Sequence, residues 1–287
     1  MTVLAIALAV LVGLALGMLG GGGSILTVPL LVYVAGLDAK AAIATSLLVV
    51  GVTSAVGAVS HARAGRVQWR TGLVFGAAGI VGAYAGGRLA HYIPGQVLLL
   101  AFAAMMIATS VAMLRGRREV DAAKVHDQLP VARVLLDGVV VGLVTGLIGA
   151  GGGFLVVPAL ALLGGLSMPV AVGTSLVVIA IKSLGGLAGY LATVSIDWGL
   201  ALAVTAAAVA GALLGGRLAG RIAPDHLRQA FGWFVLVMGT VIVGQELPRE
   251  WLGAAAAVLV VAVLGVGGIA LTRRRRSSAA AGHQPSE

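Results

Sequence analysis

Four consecutive glycines, Gly20, Gly21, Gly22 and Gly23, lead into Ser24, and a second run, Gly151, Gly152 and Gly153 before Phe154, repeats the pattern. Glycine-rich turns cradle phosphate when a Gly-Lys-Ser/Thr follows, but none follows either run. A dinucleotide fingerprint fails too: Asp38 lies at a suitable distance downstream, yet the apolar run ahead is too long for a strand, and the second copy has Ser167 where the acid belongs. What remains is a helix broken by glycine. Irregular backbone at membrane depth is tolerated only where protein buries it or where it lines a cavity. Short half-helices starting near Ser24 and Phe154 would turn free N–H groups and a positive dipole end toward that cavity, which suits an anion. The competing use of such glycines is close helix packing, the use indicated for Gly82-x-x-x-Gly86 and Gly211-x-x-x-Gly215.

Other polar side chains fall near these breaks. Thr45 and Ser46, and again Thr174 and Ser175, place hydroxyls in apolar stretches where they could donate to an oxyanion; the alternative is a bond to a carbonyl one turn back. Lys182 sits mid-run, seven residues after Ser175 and so on the same helix face. A lysine there costs ~2.5–3.5 kcal/mol even on insertion scales, so it is expected to serve function, with snorkelling or an ion pair as the alternatives. Arg88 and Arg217 close corresponding runs and read as gate or interfacial residues. Together Gly21, Gly22, Gly23, Ser24, Thr45, Ser46, Gly151, Gly152, Gly153, Thr174, Ser175 and Lys182 form the candidate substrate-binding set. No catalytic residue, metal site or cofactor is expected: cysteine is absent, five histidines are scattered singly, and no Asp or Glu falls well inside an apolar run.

The elements that hold these residues follow from composition and repetition. The 287-residue chain is 60% hydrophobic and 10% charged, with mean hydropathy +1.08, against about 25% charged in soluble domains. Its net charge of +9 comes from arginines in short segments between apolar runs, not from a basic groove with interleaved aromatics, so nucleic acid is not an expected partner. A shift of 129 residues (Pro158 minus Pro29) superposes the two halves without a gap: Thr45-Ser46-Leu47 meets Thr174-Ser175-Leu176, Trp69 meets Trp198, and Gly86-Gly87-Arg88-Leu89-Ala90 meets Gly215-Gly216-Arg217-Leu218-Ala219. Each half is a glycine-broken run (3–19 then 25–35; 131–148 then 154–164) followed by three helices, 40–60, 72–91 and 95–114, then 169–192, 198–220 and 225–244. The expected divisions are a first repeat over 1–114, a charged cytoplasmic linker over 115–130, a second repeat over 131–250, and an extra helix with a basic tail over 251–287.

Charge decides between parallel and inverted halves. If each broken element crosses once, the basic residues outside the membrane divide nine to nine. If each is a hairpin returning to its own side, fifteen lie inside (three at 63–70, five at 115–133, three at 217–228, four at 273–276) and only Lys40, Arg88 and Arg249 outside. The positive-inside rule favours inversion. The expected fold is therefore an all-α polytopic bundle of two inverted repeats, each with a glycine-broken hairpin, and duplicated broken helices point to a transporter's substrate site.

The two copies, Gly-Met-Leu-Gly-Gly-Gly-Gly-Ser-Ile-Leu-Thr-Val-Pro at 17–29 and Gly-Leu-Ile-Gly-Ala-Gly-Gly-Gly-Phe-Leu-Val-Val-Pro at 146–158, resemble the signature of the sulfite exporter TauE/SafE family over roughly residues 5–245. The resemblance implies a multi-pass permease of a bacterial inner membrane that moves sulfite, sulfonates or related anions, usually outward, with the lipid bilayer and a small anion as its partners. A structural or assembly subunit without transport of its own is the alternative. No ATP-binding motif is present, and the sequence does not fix an oligomeric state.

Overall fold

The computed structural model describes residues 2–19, 22–115, 131–149, 156–157, 160, 166, 168–218 and 224–247. Gly20, Gly21, Gly151, Gly152, Gly153, the linker 116–130 and the run 251–287 lie outside the described residues. Among the described residues there is no strand. The helices are α1 (Thr2–Leu19), α2 (Ala39–Arg63), α3 (Trp69–Leu89), α4 (Gly95–Arg115), α5 (Val131–Ile148), α6 (Met168–Leu191), α7 (Trp198–Leu218) and α8 (Pro224–Glu246). Four of them, with spans Ala39–Arg63, Trp69–Tyr92, Val170–Leu191 and Trp198–Leu218, are long and apolar enough to cross a membrane. Large apolar side chains such as Leu73, Val81, Leu202 and Phe234 face outward. That is a costly surface in water and a favourable one in lipid. Trp69 and Trp198, equivalent under the 129-residue shift, stand half-exposed at the starts of α3 and α7, as interfacial anchors do.

Small residues set the packing. A Cβ at Gly82 or Gly86 would collide with the carbonyls of Val139 and Leu143, so α3 lies directly on α5. The same collision repeats one half away, where Gly211 and Gly215 meet the carbonyls of Val10 and Leu14 and bring α7 onto α1. Both glycine pairs therefore serve close packing. Each half lends its first helix to the other: α1 runs parallel to α7 and α5 parallel to α3.

The direction of α2 against α6 fixes the arrangement. Gly186 faces Leu47, while Gly57 faces Leu176. These equivalent helices thus run antiparallel and cross near Gly51, where an added Cβ would stand 3.8 Å from the carbonyl oxygen of Ala180, the equivalent residue. Short connections at 64–68 and 192–197 reverse the chain, so α1, α2 and α7 all point the same way. The chain leaving α1 must consequently travel back before α2 begins, and residues 22–34 form that return limb. It ends with Gly36 at φ 74°, the Leu37 N–H on the Leu31 carbonyl, and Asp38 accepting from the Lys40 N–H to cap α2.

The return limb differs from the simple half-helix expected over 25–35. It begins as a 3-10 turn at Gly22–Leu26, passes through one α turn at Thr27–Pro29 and widens to a π turn at Leu30–Val34. Pro29 has no N–H to donate back, which disfavours a continuous α ladder through this point. The dipole of this limb is that of a short mixed segment.

Candidate functional site

A cavity of about 850 Å³ opens at the end of the bundle that carries Arg63, Arg66 and Arg217. Its walls are the last turn of α1 (Leu16, Gly17, Met18), the second half of α2 and the end of α7, with Val172 and Leu176 of α6 opposite. Arg66 and Arg217 are exposed at the mouth, His61 and Ser60 stand below them, and the floor holds the buried Thr53 and Ser54. From Ala64 at the rim to Thr53 is eleven residues of helix, or about 16 Å, half the depth of a ~30 Å hydrocarbon core. The floor therefore lies near the level where α2 and α6 cross.

Thr53 satisfies its hydroxyl within its own helix, at 2.7 Å from the Val49 carbonyl. The Ser54 hydroxyl and His61 Nδ1 are buried without a hydrogen-bond partner among the described residues. Such groups are costly to leave unsatisfied and are ready to bind a polar ligand or water. Two guanidinium groups, an imidazole and hydroxyls along one wall suit a small oxyanion entering from this end.

The equivalent space at the opposite end is filled. The positions matching Leu16, Thr53, Ser54, His61, Val172 and Leu176 are Thr145, Lys182, Ser183, Tyr190, Ile43 and Leu47, each no more than 1% exposed. Tyr190 donates its hydroxyl to the Leu147 carbonyl at 2.7 Å, and Ser46 donates to the Gly149 carbonyl at 3.0 Å. Both bonds hold the inner end of α5. Among the described residues the bundle is thus open at one end, and the equivalent positions at the other are closed.

Lys182 lies in the sealed half. Its stem packs against Gly79, where an added Cβ would stand 3.4 Å from Lys182 Cβ and 3.8 Å from its Cδ. Its ammonium and the neighbouring Ser183 hydroxyl have no hydrogen-bond partner among the described residues. With the side chain wholly buried and no partner for its charge among those residues, neither snorkelling nor an ion pair accounts for this conformation.

The remaining candidates are placed as follows. Gly22 and Gly23 open the 3-10 turn, and Ser24 is buried within it. Thr45, Ser46, Thr174 and Ser175 are buried. Thr174 accepts from the Gln68 N–H, and Ser175 donates into its own helix at Val172. Because α2 and α6 are antiparallel, Ser175 lies opposite residues 57–58, so the two Thr-Ser pairs are separated by some twelve residues of helix, about 18 Å. They mark two depths and not one point. Arg88 and Arg217 stand exposed at opposite ends. The cavity residues Ser54, His61 and Arg66 escape a reading of motifs. A signal for one existed, since Ser54 coincides with Ser183 under the 129-residue shift.

Residues 5–242 match the family described as sulfite exporter TauE/SafE. A probable membrane transporter protein of Xylella fastidiosa is 38% identical over 197 residues, 67% of this chain and 75% of its own length. A probable membrane transporter protein of Methanocaldococcus jannaschii is 30% identical over 255 residues, 81% of this chain and 93% of its own. A third, from Bacillus subtilis, is 29% identical over 200 residues, 68% of this chain and 80% of its own. No solved structure matches the chain. With duplicated apolar helices, a half-depth polar cavity and a family match across both repeats, the chain belongs to the sulfite exporter TauE/SafE family and is a membrane transporter.

Proposed function

We propose that the chain is a secondary permease of the cell inner membrane that moves a small anion, sulfite or an organosulfur anion such as a sulfonate, outward by alternating access. The observation that carries this reading is the pairing of one open and one sealed half-cavity at equivalent positions of two repeats. A protein that exposes a central site to each side in turn needs two such half-paths, and only one is open at a time. Anion selection is supported by Arg66 and Arg217 at the open mouth and by Lys182 in the sealed half, with the hydroxyls of Ser54 and Ser183 near the crossing. The antiparallel course of α2 and α6 supports inverted repeats in the bilayer, and the basic end, where the cavity opens, is assigned to the cytoplasm by the positive-inside rule. In export the anion would load at that end.

Purified protein in liposomes, tested for flux of sulfite, thiosulfate, taurine and sulfoacetate, decides the matter. Saturable flux of at least one, inhibited by the others, is expected. Absence of flux for all four, with no stabilisation of the purified protein by any of them, would instead favour a structural or assembly subunit.

A further inference from the structure

Three sealing contacts at one end can be compared with their equivalents at the other, and two of them differ there. First, Tyr190 bonds the Leu147 carbonyl at the sealed end, whereas their equivalents, His61 and Met18, both line the open cavity and His61 Nδ1 has no partner among the described residues. Second, Ser46 bonds the Gly149 carbonyl, whereas its equivalent Ser175 bonds into its own helix among the described residues, and Gly20, the equivalent of Gly149, lies outside them. Third, a Cβ on Gly87 would meet the Gly186 carbonyl and the backbone of Gly189 and Tyr190, whereas its equivalent Gly216 faces open space. The first and third of these sealing contacts have an open counterpart at the other end. The glycine contacts that join α1 to α7 through Gly13, Gly17, Gly211 and Gly215 are intact. The opening therefore lies between the α1–α7 pair and α2.

We propose that His61 is the gate of the basic end: in a second conformation the α1–α7 pair closes onto α2, Gly216 packs against the backbone near Gly57, and the His61 imidazole donates to the Met18 carbonyl, while the Tyr190–Leu147 bond opens. The pairing is the one the sealed end already displays, carried across by the repeat. Imidazole is shorter than phenol, so the end of α1 must approach α2 more closely than α5 approaches α6. The closed gate uses a neutral or charged donor equally, since either form of imidazole carries an N–H. This gate rests on the alternating-access reading above.

The absence of cysteine makes the test direct. Ser54→Cys reports the open cavity and Ser183→Cys its sealed equivalent, each read by its rate of reaction with a charged thiosulfonate applied from either side of reconstituted membranes. Ser54→Cys reacts from the basic side, and Ser183→Cys reacts more slowly, from the other side. In the Ser183→Cys background, His61→Leu lowers the rate about three- to tenfold, the worth of one hydrogen bond, and His61→Tyr restores it to the native rate or above. Tyr190→Phe raises it. Gly216→Leu, which fits the conformation seen here but blocks closure, lowers it without lowering thermal stability. If Tyr190→Phe shifts both reporters while His61→Leu leaves both within twofold, the gate assignment is overturned and the permease reading stands. If His61→Tyr fails to restore what His61→Leu removes, His61 supports structure only and the assignment is likewise overturned. If no variant moves either reporter, the two-state reading falls together with the gate.

Discussion

Among the described residues Lys182 is held by packing alone. Its methylenes lie against Gly79, and its side-chain nitrogen reaches no hydrogen-bond partner among the described residues. An amine kept in that position against an insertion cost of ~2.5–3.5 kcal/mol gives this half of the bundle a basic group that the other half, with Thr53, lacks. Lys182→Met keeps most of the volume and is expected to raise the half-saturating anion concentration at least tenfold in proteoliposomes while leaving the melting temperature unchanged or higher. Lys182→Arg should retain part of the activity. Unaltered anion affinity in Lys182→Met would assign the lysine to packing. This residue is legible in the sequence because a charge stands out inside an apolar run and its insertion cost must be offset by something it does there. His61 is not, since it lies two residues from Arg63 and five from Arg66, where a histidine reads as part of a solvated helix end. Only the placement of Met18 and the bond made by Tyr190 distinguish it.

At the scale of elements, two kinds of glycine behave differently. Those of the Gly-x-x-x-Gly pairs in α3 and α7 seat one helix on another's carbonyls, and a larger residue there forces the pair apart. Gly82→Leu and Gly211→Leu should each lower thermal stability in detergent and reduce the yield of folded protein, since overpacking costs typically 1–3 kcal/mol and a backbone collision more. The glycines of the break act on conformation. Gly22 opens a 3-10 turn that reverses the chain within the bundle, and Gly22→Val should reduce flux severalfold with yield largely retained; normal flux in both Gly22→Val and Gly151→Val would place the pathway elsewhere. The existence and order of the described helices were legible because hydropathy and the 129-residue shift are local or linear signals, while the expected helix 251–271 lies outside the described residues. The mixed 3-10, α and π course of the return limb was not, because propensity does not count the donor that Pro29 lacks or the space that tertiary packing leaves at 30–34. Nor was the exchange of first helices between halves, which depends on which carbonyl each glycine meets.

The whole molecule carries one asymmetry of charge and one of shape, and they coincide. Arginines gather at the end where α2 and α7 finish and α3 begins, and the cavity opens at that end, while Lys40, Arg88 and Tyr92 mark the other. The antiparallel α2 and α6 place the start of each half at opposite ends, so the charges of both halves add at one face only if the repeats are inverted. Parallel halves would divide the same residues nine to nine. Three single cysteines in the cysteine-free chain test this: Tyr92→Cys, at a residue 80% exposed beyond the end of α3, Ala122→Cys in the linker, and Ser278→Cys after the arginine cluster. In intact cells an impermeant maleimide should label Tyr92→Cys alone, and Ala122→Cys and Ser278→Cys should react only after the membrane is permeabilised. Labelling of one of the latter two without the other would require parallel halves or an odd number of crossings between them. Labelling of both, with Tyr92→Cys protected, would keep the inverted repeats but reverse the protein in the membrane, and the open cavity would then face the outside.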